Sequence, residues 1–376
     1  MNFNFDEDQR SLGETVAAVL ADDAQLLAPD PVEAGTSKAW EALAELGLFS
    51  LLVPEDLGGA GFSLIDVSLA IEALGAGLAP PGIASTLVVT ELLSRYGSDQ
   101  LKARWLPGIA TGELHAALAI QEVGSGPDPL SMRTAFVANG LSGTKMLVDG
   151  GTEADLFLVL AGSADGPAVV VIDATADGVS CRAHDGLDPS SALAEVTFDN
   201  VAVGDDDILG GAAAADAVAT LQDLGATVAA GMQIGIGARV LDISVEYAKV
   251  RVQFGQPIGA FQGIKHVCAD LAVAVESGRS AAYYAFWAVA EDAPDRARAA
   301  SMAKAYCGEV ARDGCNRATQ IHGGMGFTWE LALHRYMRRA RILEQAFGNS
   351  DWHYDRVTEQ TVLANGHAAR DEAVSV

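Results

Sequence analysis

The sequence is poor in positive charge. Its 24 lysines and arginines are outnumbered by 50 aspartates and glutamates, and the formal net charge is -26. Nucleic acids and anionic membrane surfaces attract clustered positive charge. We therefore expect no nucleic-acid partner and no binding to an anionic membrane.

Paired cysteines and long uninterrupted apolar runs are also lacking. The four cysteines, Cys181, Cys268, Cys307 and Cys315, form no CxxC pair, so the pattern predicts reduced thiols and no structural zinc site. No run of about 18 apolar residues is free of charges and helix breakers, and the first residues have no apolar signal core. The prediction is a cytoplasmic protein with no membrane insertion and no metal.

The residues that are present predict a folded chain of two or three domains, since half of the 376 residues are hydrophobic. Apolar residues recur at helical spacing up to about residue 114. Short Val- and Leu-rich runs broken by Gly, Asp and Asn then follow. The helical spacing returns near residue 211. These patterns predict an α+β multidomain fold with an N-terminal helical domain (1–114), a middle antiparallel β-barrel or sandwich (115–210) and a C-terminal four-helix bundle (211–376).

The stretch from residue 320 to residue 351 combines a glycine pair, a basic helix and a break. Gly323 and Gly324 allow close approach of a ligand to the backbone. Four arginines follow within seven residues, in the run HRYMRRAR. Such a cluster either holds an anion or pairs with the chain's own carboxylates, and both interpretations remain open at this point. The helix ends in the small, polar segment GNSD.

Several strings resemble motifs of the acyl-CoA dehydrogenase flavoprotein family. PEDLGGAGFS is similar to its N-terminal glycine-rich loop, and LAIQEVGSGPD stands at its Thr-Glu-Pro-Gly loop. RVQFGQPIGAFQ resembles its Arg-x-x-Phe-Gly motif, and QIHGGMGF resembles its Gln-x-x-Gly-Gly-x-Gly turn. The resemblance spans essentially the whole chain. It implies the same three-domain fold, FAD as cofactor, an acyl-CoA substrate, electron-transfer flavoprotein as acceptor and a tetrameric assembly.

The resemblance also implies a set of FAD-binding residues. Arg251 would meet the pyrophosphate, for which a planar and permanently charged guanidinium is suited, although it could instead pair with a surface carboxylate. Phe254 would pack beside the adenine. The remaining implied contacts to the ADP end are the side chains of Gln262 and Gln320 and the backbone of Gly323 and Gly324. His322 either fixes the glycine turn or meets the cofactor.

The catalytic position departs from the family pattern. Family members remove the substrate α-proton with a Glu, either after the basic helix or on the long first helix of the bundle. Phe347 stands at the first of these positions and Gly225 at the second. On the flavin side, Gln121 and Pro127 replace a Thr and a Ser, whereas Leu147 and Asp149 replace a Trp and a Thr. The stacking indole and the hydroxyl donors are therefore lost.

The motifs expected to contact the nucleotide of FAD are retained, whereas the catalytic Glu and the flavin-side residues are replaced. This asymmetry favours a specific hypothesis. The chain is similar to the subunit without a base in the heteromeric acyl-CoA dehydrogenases of actinobacterial steroid degradation, a branch of lipid metabolism, in which a homologous partner subunit provides the Glu. A second hypothesis is a self-sufficient homotetramer with a displaced carboxylate. Asp351 is its first candidate, followed by Glu344, Asp223 and Glu122. A flavin monooxygenase or oxidase on the same fold, and a scaffold without FAD, are further alternatives.

Overall fold

The computed structural model describes residues 5–23, 26, 38–128, 131–137, 139–188 and 190–374, of which residues 363–374 are described by their main chain alone. The described chain has helices at both ends and a sheet between them, in the order expected from the sequence patterns.

Helices build the first part of the chain. They are α1 (Glu7–Asp22), α2 (Ala39–Glu45), α3 (Ser68–Ala76), α4 (Ile83–Tyr96) and α5 (Asp99–Ala110). Asp6 begins α1 with a capping box, in which its carboxylate accepts the amide of Gln9 and the Gln9 side chain returns to the amide of Asp6. Ser98 caps α5 through the amide of Leu101. Buried faces of these helices share one hydrophobic core with α6 and part of the sheet.

Seven strands of the described chain form the central sheet. They are β1 (Ala116–Ala119), β2 (Ala135–Val137), β3 (Gly140–Asp149), β4 (Leu156–Ser163), β5 (Gly166–Asp173), β6 (Val179–Ala183) and β7 (Leu193–Ala202). The order is β1-β4-β2-β3-β7-β6, with β5 on β4. The sheet is mixed, because β1 and β2 both run parallel to β4. The purely antiparallel arrangement expected from the sequence is therefore corrected: strand spacing identifies the strands but does not determine which distant strands pair.

The C-terminal part is again helical. Its elements are α6 (Ala214–Val250), the short hairpin β8 (Val252–Gln253) and β9 (Gln256–Pro257), α7 (Gln262–Ala290), α8 (Arg296–His322), α9 (Leu333–Gln345) and α10 (Ser350–Val374). Helix α6 is the centre of this part and packs against α3, α7, α8 and α9. The sequence patterns indicated α6 to α9 but not α10, which packs on α8.

Glycines let other elements approach α6 closely. A Cβ atom at Gly235 would lie 2.0 Å from the carbonyl oxygen of Glu72 in α3, a distance that no side chain can occupy. The glycines weaken the helix by propensity, but they allow backbone-to-backbone packing at the centre of the molecule.

Helix α6 is also long and apolar enough to cross a bilayer when judged by length and composition alone. Asp216, Asp223 and Arg239 still interrupt this segment, so it is not the charge-free apolar run that the sequence analysis excluded. Within the structure, 83% of the most apolar window of this segment is buried. Its hydropathy is accounted for by its place in the core, since a helix that is apolar all round is buried by protein or by lipid.

Candidate functional site

The N-terminal helices, the sheet and the bundle enclose a cavity of about 610 Å³, which is within the usual size range of small-molecule sites. Its walls come from α3, α4, β1, β3, α6, the loop between β6 and β7, and the end of α9. Most lining side chains are apolar, among them Leu74, Val88, Leu118, Met146, Val228 and Phe347. The cavity is therefore the candidate site for an apolar ligand.

Phe347, which follows the end of α9, lies against Gly225 in the middle of α6. A Cβ atom at Gly225 would lie 2.1 Å from Cε1 of Phe347. The ring therefore occupies the space that any side chain at position 225 would need. The two alternative positions expected for a catalytic carboxylate thus meet at one point beside the cavity, and neither residue carries one.

The main chain around Phe347 is held by hydrogen bonds. Its φ is +58°, a left-handed conformation that is unusual for a residue with a side chain. The carbonyl oxygen of Phe347 accepts hydrogen bonds from Nε2 of Gln222 at 2.5 Å and from Nε2 of His353 at 3.1 Å. The next residue, Gly348, also has a positive φ of +106°. Hydrogen bonds to the main chain thus help to fix the backbone at this point.

Lys304 of α8 is buried and forms hydrogen bonds with carbonyl groups at the end of α9. Its Nζ donates to the carbonyl oxygens of Glu344 at 3.1 Å and Gly348 at 3.0 Å. Burial lowers the pKa of Lys304 to about 7, because a low-dielectric surrounding disfavours the charged form. Burial, assisted by the charge of Lys304, also lowers the pKa of His353 to about 3. His353 is therefore neutral, and its Nε2 carries the proton that it donates to Phe347.

Two of the carboxylates considered as displaced bases are held in ion pairs. Glu344 accepts hydrogen bonds from Arg312 at 2.6 Å and from Arg341 at 2.9 Å. Asp223 accepts one from Arg356 at 2.6 Å and is 1% exposed. Neither residue lines the cavity. Their contacts favour structural roles in joining α6, α8, α9 and α10.

Glu122 joins the loop after β1 to β3. Its Oε1 accepts hydrogen bonds from Nζ of Lys145 at 2.7 Å and from the amide of Thr134 at 2.9 Å, and its Oε2 accepts the amide of Arg133 at 2.6 Å. Burial alone would raise the pKa of Glu122, but these bonds lower it to about 2. A carboxylate this strongly hydrogen-bonded in its ionised form is a poor proton acceptor.

Asp351 is exposed in the first turn of α10 and is not part of the cavity lining. A general base must come within hydrogen-bonding distance of the proton that it removes, so this position argues against Asp351 as the displaced base. An acidic residue in the first turn stabilises a helix through the helix dipole. That role accounts for Asp351 without catalysis.

The replaced residues on the flavin side do line the cavity. They are Gln121, Pro127, Leu147 and Asp149. Leu147 has a φ of +55° at a break in the pairing of β3 with β7, and its side chain is 42% exposed. Nε2 of Gln121 donates to the carbonyl oxygen of Gln345 at 3.1 Å, which joins the loop after β1 to the end of α9.

Asp149 is an acid of the cavity wall that the sequence considerations treated only as a lost hydroxyl. Its Oδ2 accepts the amide of Gly82 at 2.9 Å. Burial raises the pKa of Asp149, against the lowering effect of nearby Arg339. The signal that could have identified it is its residue type, because a carboxylate can replace a hydroxyl in a hydrogen bond.

The residues expected to contact the ADP end of FAD lie at one end of the bundle, outside the cavity lining. All six are exposed: Arg251, Phe254, Gln262, Gln320, Gly323 and Gly324. The rings of Tyr247 and His322 stack here and join the end of α6 to the end of α8, with 4.2 Å between the ring centroids. His322 is 4% exposed, and its Nδ1 bonds to the carbonyl of Ala318. These contacts favour the turn-fixing role for His322.

This end of the bundle has features that suit an anionic ligand. Arg251 forms no ion pair with any residue that the structure describes. The side chain of Phe254 is 92% exposed. Gly323 has a φ of +59°, and a Cβ atom on Gly323 or Gly324 would meet nothing within 4 Å. A cation, an aromatic ring and an open stretch of backbone are thus all exposed at this end of the bundle, which suits an anionic ligand.

Two family models match the chain. "Acyl-CoA dehydrogenase, N-terminal domain" matches residues 6–113, and "Acyl-CoA dehydrogenase, C-terminal domain" matches residues 216–362. An acyl-CoA dehydrogenase of Bacillus subtilis (strain 168) is 32% identical over 326 residues, which are 81% of this chain and 84% of that protein. The chain belongs to the acyl-CoA dehydrogenase family. The enzyme class, an oxidoreductase, and the cofactor, FAD, are confirmed with it.

Two mycobacterial proteins are also similar. Acyl-CoA dehydrogenase FadE34 of Mycobacterium tuberculosis is 34% identical over 334 residues, which are 88% of this chain but 43% of the length of that relative. In the crystal structure of the ChsE4-ChsE5 complex from Mycobacterium tuberculosis, the matched chain has a TM-score of 0.87 and 27% identity. The match covers 96% of this chain and 99% of that one. The predicted acyl-CoA dehydrogenase fold is confirmed.

The described residues fit FAD unequally at its two ends. The exposed cation and the open glycine turn would suit the nucleotide end, and the motifs that form this surface are intact. At the flavin end, the exposed Leu147 offers no ring to stack on, and Asp149 offers a carboxyl where the family pattern has a hydroxyl. The chain is therefore better equipped to bind the nucleotide of FAD than its ring system.

Proposed function

We propose that this chain is the subunit without a catalytic base in a heteromeric acyl-CoA dehydrogenase, and that a homologous, unlike subunit provides the carboxylate. The observation that carries the proposal is the contact of Phe347 with Gly225. An aromatic ring fills the point at which either known arrangement would place the base. The other carboxylates considered are ion-paired, strongly hydrogen-bonded or outside the cavity.

The chemistry explains why the absence matters. Dehydrogenation of an acyl-CoA thioester between Cα and Cβ requires removal of a weakly acidic α-proton, for which a positioned carboxylate is needed. FAD, when bound, accepts the β-hydrogen with its electron pair. General-base catalysis contributes roughly 10²- to 10⁴-fold, so an assembly of this chain alone would lose a factor of that order.

The chain's own residues have a binding role in this proposal. The exposed Arg251, Phe254 and Gly323–Gly324 turn hold the nucleotide of an FAD whose ring system lies mainly in the partner subunit. We propose electron-transfer flavoprotein as the acceptor and a bulky, sterol-type acyl-CoA as the substrate. The chain also resembles a solved structure described as a steroid ACAD, with a TM-score of 0.84 and 28% identity, which supports the substrate class.

Purification of the chain alone and together with an unlike homologous subunit tests the proposal. We expect FAD retention and acyl-CoA oxidation, followed with an artificial electron acceptor, only in the mixed assembly. Full activity of a yellow assembly made from this chain alone would refute the proposal.

Installing the carboxylate provides a second test. In the chain purified alone, Phe347→Glu is expected to increase exchange of the acyl-CoA α-protons with deuterated water, measured by mass spectrometry. Phe347→Gln is the matched control, because it has the same shape without the charge. Both variants place a side chain at the same left-handed position, so any backbone strain there is common to the two. Equal exchange by the two variants would show that the position does not face the substrate.

A further inference from the structure

A small group of polar side chains is buried where α6, α8 and α10 meet. Gln233 of α6 and His353 of α10 are both 0% exposed, and Ser350 of α10 is 7% exposed. Gly308 of α8 lies between them. We call Gln233, Gly308, Ser350 and His353 the buried junction. None of these four residues lines the cavity, so the junction is separate from the site for the acyl-CoA and the flavin.

Gly308 keeps the centre of the junction open. A Cβ atom on this residue would lie 3.3 Å from Nε2 of Gln233 and 3.5 Å from Oγ of Ser350. These two side chains therefore approach the same face of α8 from two different helices. His353 follows Ser350 by three residues on α10, and side chains at that spacing lie on one face of a helix. The three polar side chains thus surround one place between the helices.

Gln233 brings both a donor and an acceptor to this place. Neither its Nε2 nor its Oε1 has a hydrogen-bond partner within the described ranges of the chain. An amide that is buried without partners costs free energy, because it gives up its hydrogen bonds to bulk water. Exchanging the positions of Nε2 and Oε1 would not remove this cost, since both atoms are unpartnered. Gln233 is therefore a sign that a further polar molecule binds in the junction.

His353 offers a second acceptor. Its Nε2 lies 3.1 Å from the carbonyl oxygen of Phe347, which can only accept, so Nε2 carries the proton and Nδ1 is left as an acceptor. Burial and the charge of Lys304 lower the pKa of His353 to about 3, which excludes a proton on both nitrogens at neutral pH. Among the residues that the structure describes, none donates to Nδ1. A donor at Nδ1 would fix the tautomer that holds the carbonyl of Phe347.

We propose that the buried junction is an internal hydration site, in which one or two ordered waters bridge the amide of Gln233 to Nδ1 of His353. Water has the chemistry that this place requires, because it can accept from Nε2 of Gln233 while it donates to Nδ1 of His353. Buried waters typically make about three hydrogen bonds to polar groups that would otherwise lack partners. A larger ligand is excluded, since a single Cβ atom on Gly308 would already be in contact with two of the side chains.

The hydration site would connect α6 to the segment that carries Phe347. Gln233 would act on the carbonyl of Phe347 through water and the His353 ring, and would thus be a positioning residue. This inference does not rest on the proposed function, because no substrate, cofactor or partner subunit takes part in it.

A crystal structure of the unsubstituted chain, in the assembly in which it purifies and at a resolution that shows ordered waters, is the direct test. We expect a peak of electron density within hydrogen-bonding distance of the Gln233 amide, connected to Nδ1 of His353 directly or through a second peak. No peak at this place, or direct bonds from both ends of the Gln233 amide to protein groups, would overturn the proposal.

Gln233→Met tests the same proposal by the sign of its effect on the urea midpoint of unfolding. Without water in the junction, methionine would remove two unpaired polar atoms, and the midpoint should rise. With water, it removes hydrogen bonds and leaves Nδ1 of His353 without its bridge, so the midpoint should fall. Gln222→Met is the matched reference, because Gln222 is a buried glutamine of the same helix whose amide donates to the carbonyl of Phe347. We expect both variants to lower the midpoint, and a rise in Gln233→Met would overturn the proposal.

Discussion

Replacement of Gly225 by alanine tests the contact on which the functional proposal depends. The new Cβ atom would lie 2.1 Å from Cε1 of Phe347, far inside the usual carbon–carbon separation of about 3.5–4.0 Å. Over-packing of this kind costs about 1–3 kcal/mol, and the better helix propensity of alanine returns up to about 1 kcal/mol. We therefore expect a net loss of about 0–2 kcal/mol. In a Phe347→Ala background the clash is absent, and the same substitution should instead stabilise by about 1 kcal/mol.

Urea unfolding followed by circular dichroism would measure the four proteins of this double-mutant cycle, with a predicted coupling energy of about 1–3 kcal/mol. Gly263→Ala in α7 is the control, because a Cβ atom there meets nothing within 4 Å. It should stabilise equally with either residue at position 347. If the effects of Gly225→Ala and Phe347→Ala were additive, the two positions would not be in contact, and the argument for a filled base position would fail.

Three further predictions concern charged residues. Lys145→Met should lower the free energy of unfolding, measured with urea, by about 3–5 kcal/mol, because it leaves Glu122 buried without its cation. Adding Glu122→Gln should restore much of that loss. Equal stability of the single and double variants would contradict this prediction. The pKa of Lys304 is about 7 in the folded chain, against an ordinary value of 10.5. Between these two pH values the unfolded chain binds more protons at Lys304 than the folded chain does. The free energy of unfolding should therefore rise with pH across this range, by up to about 1.4 kcal/mol per pH unit. Lys304→Met should remove that rise, and an unchanged slope would contradict the assignment. Arg251→Ala should weaken FAD binding by the mixed assembly at least about tenfold, because a charge-assisted hydrogen bond is lost. Equilibrium dialysis would measure this, and Arg251→Lys should be intermediate. Unaltered binding would show that Arg251 does not belong to the cofactor site.

Much of the fold was predictable because its signals are local. Periodicity identified the long helices and the seven strands. Strand pairing was not predictable in the same way. The parallel contact of β1 with β4 joins segments separated by two other strands, and no local pattern determines such a pairing. Helix α10 was missed because its apolar positions are few and the segment follows a glycine break.

The candidate site was predictable to a similar extent. Motif positions identified Phe347 and Gly225 as two places without a base, but only the structure brings them into contact. The sequence left two interpretations of the arginine cluster, and the structure supports pairing with the chain's own carboxylates, since Arg339 pairs with Asp188 and Arg341 with Glu344. Asp149 was named only as a lost hydroxyl, because its place in the cavity wall depends on the packing of three domains.

The hydrogen bonds around Phe347 have a consequence for how such a protein can arise. Gln222, His353 and Lys304 all bond to carbonyl oxygens of the segment from residue 344 to residue 348. Since they contact main-chain atoms, they hold the segment whatever side chain stands at position 347. After gene duplication, one copy could exchange that residue without losing the fold or the surface that binds the nucleotide. The copy would then persist only together with the sister protein that kept the acid, and obligate pairing of two genes would follow from a single replaced residue.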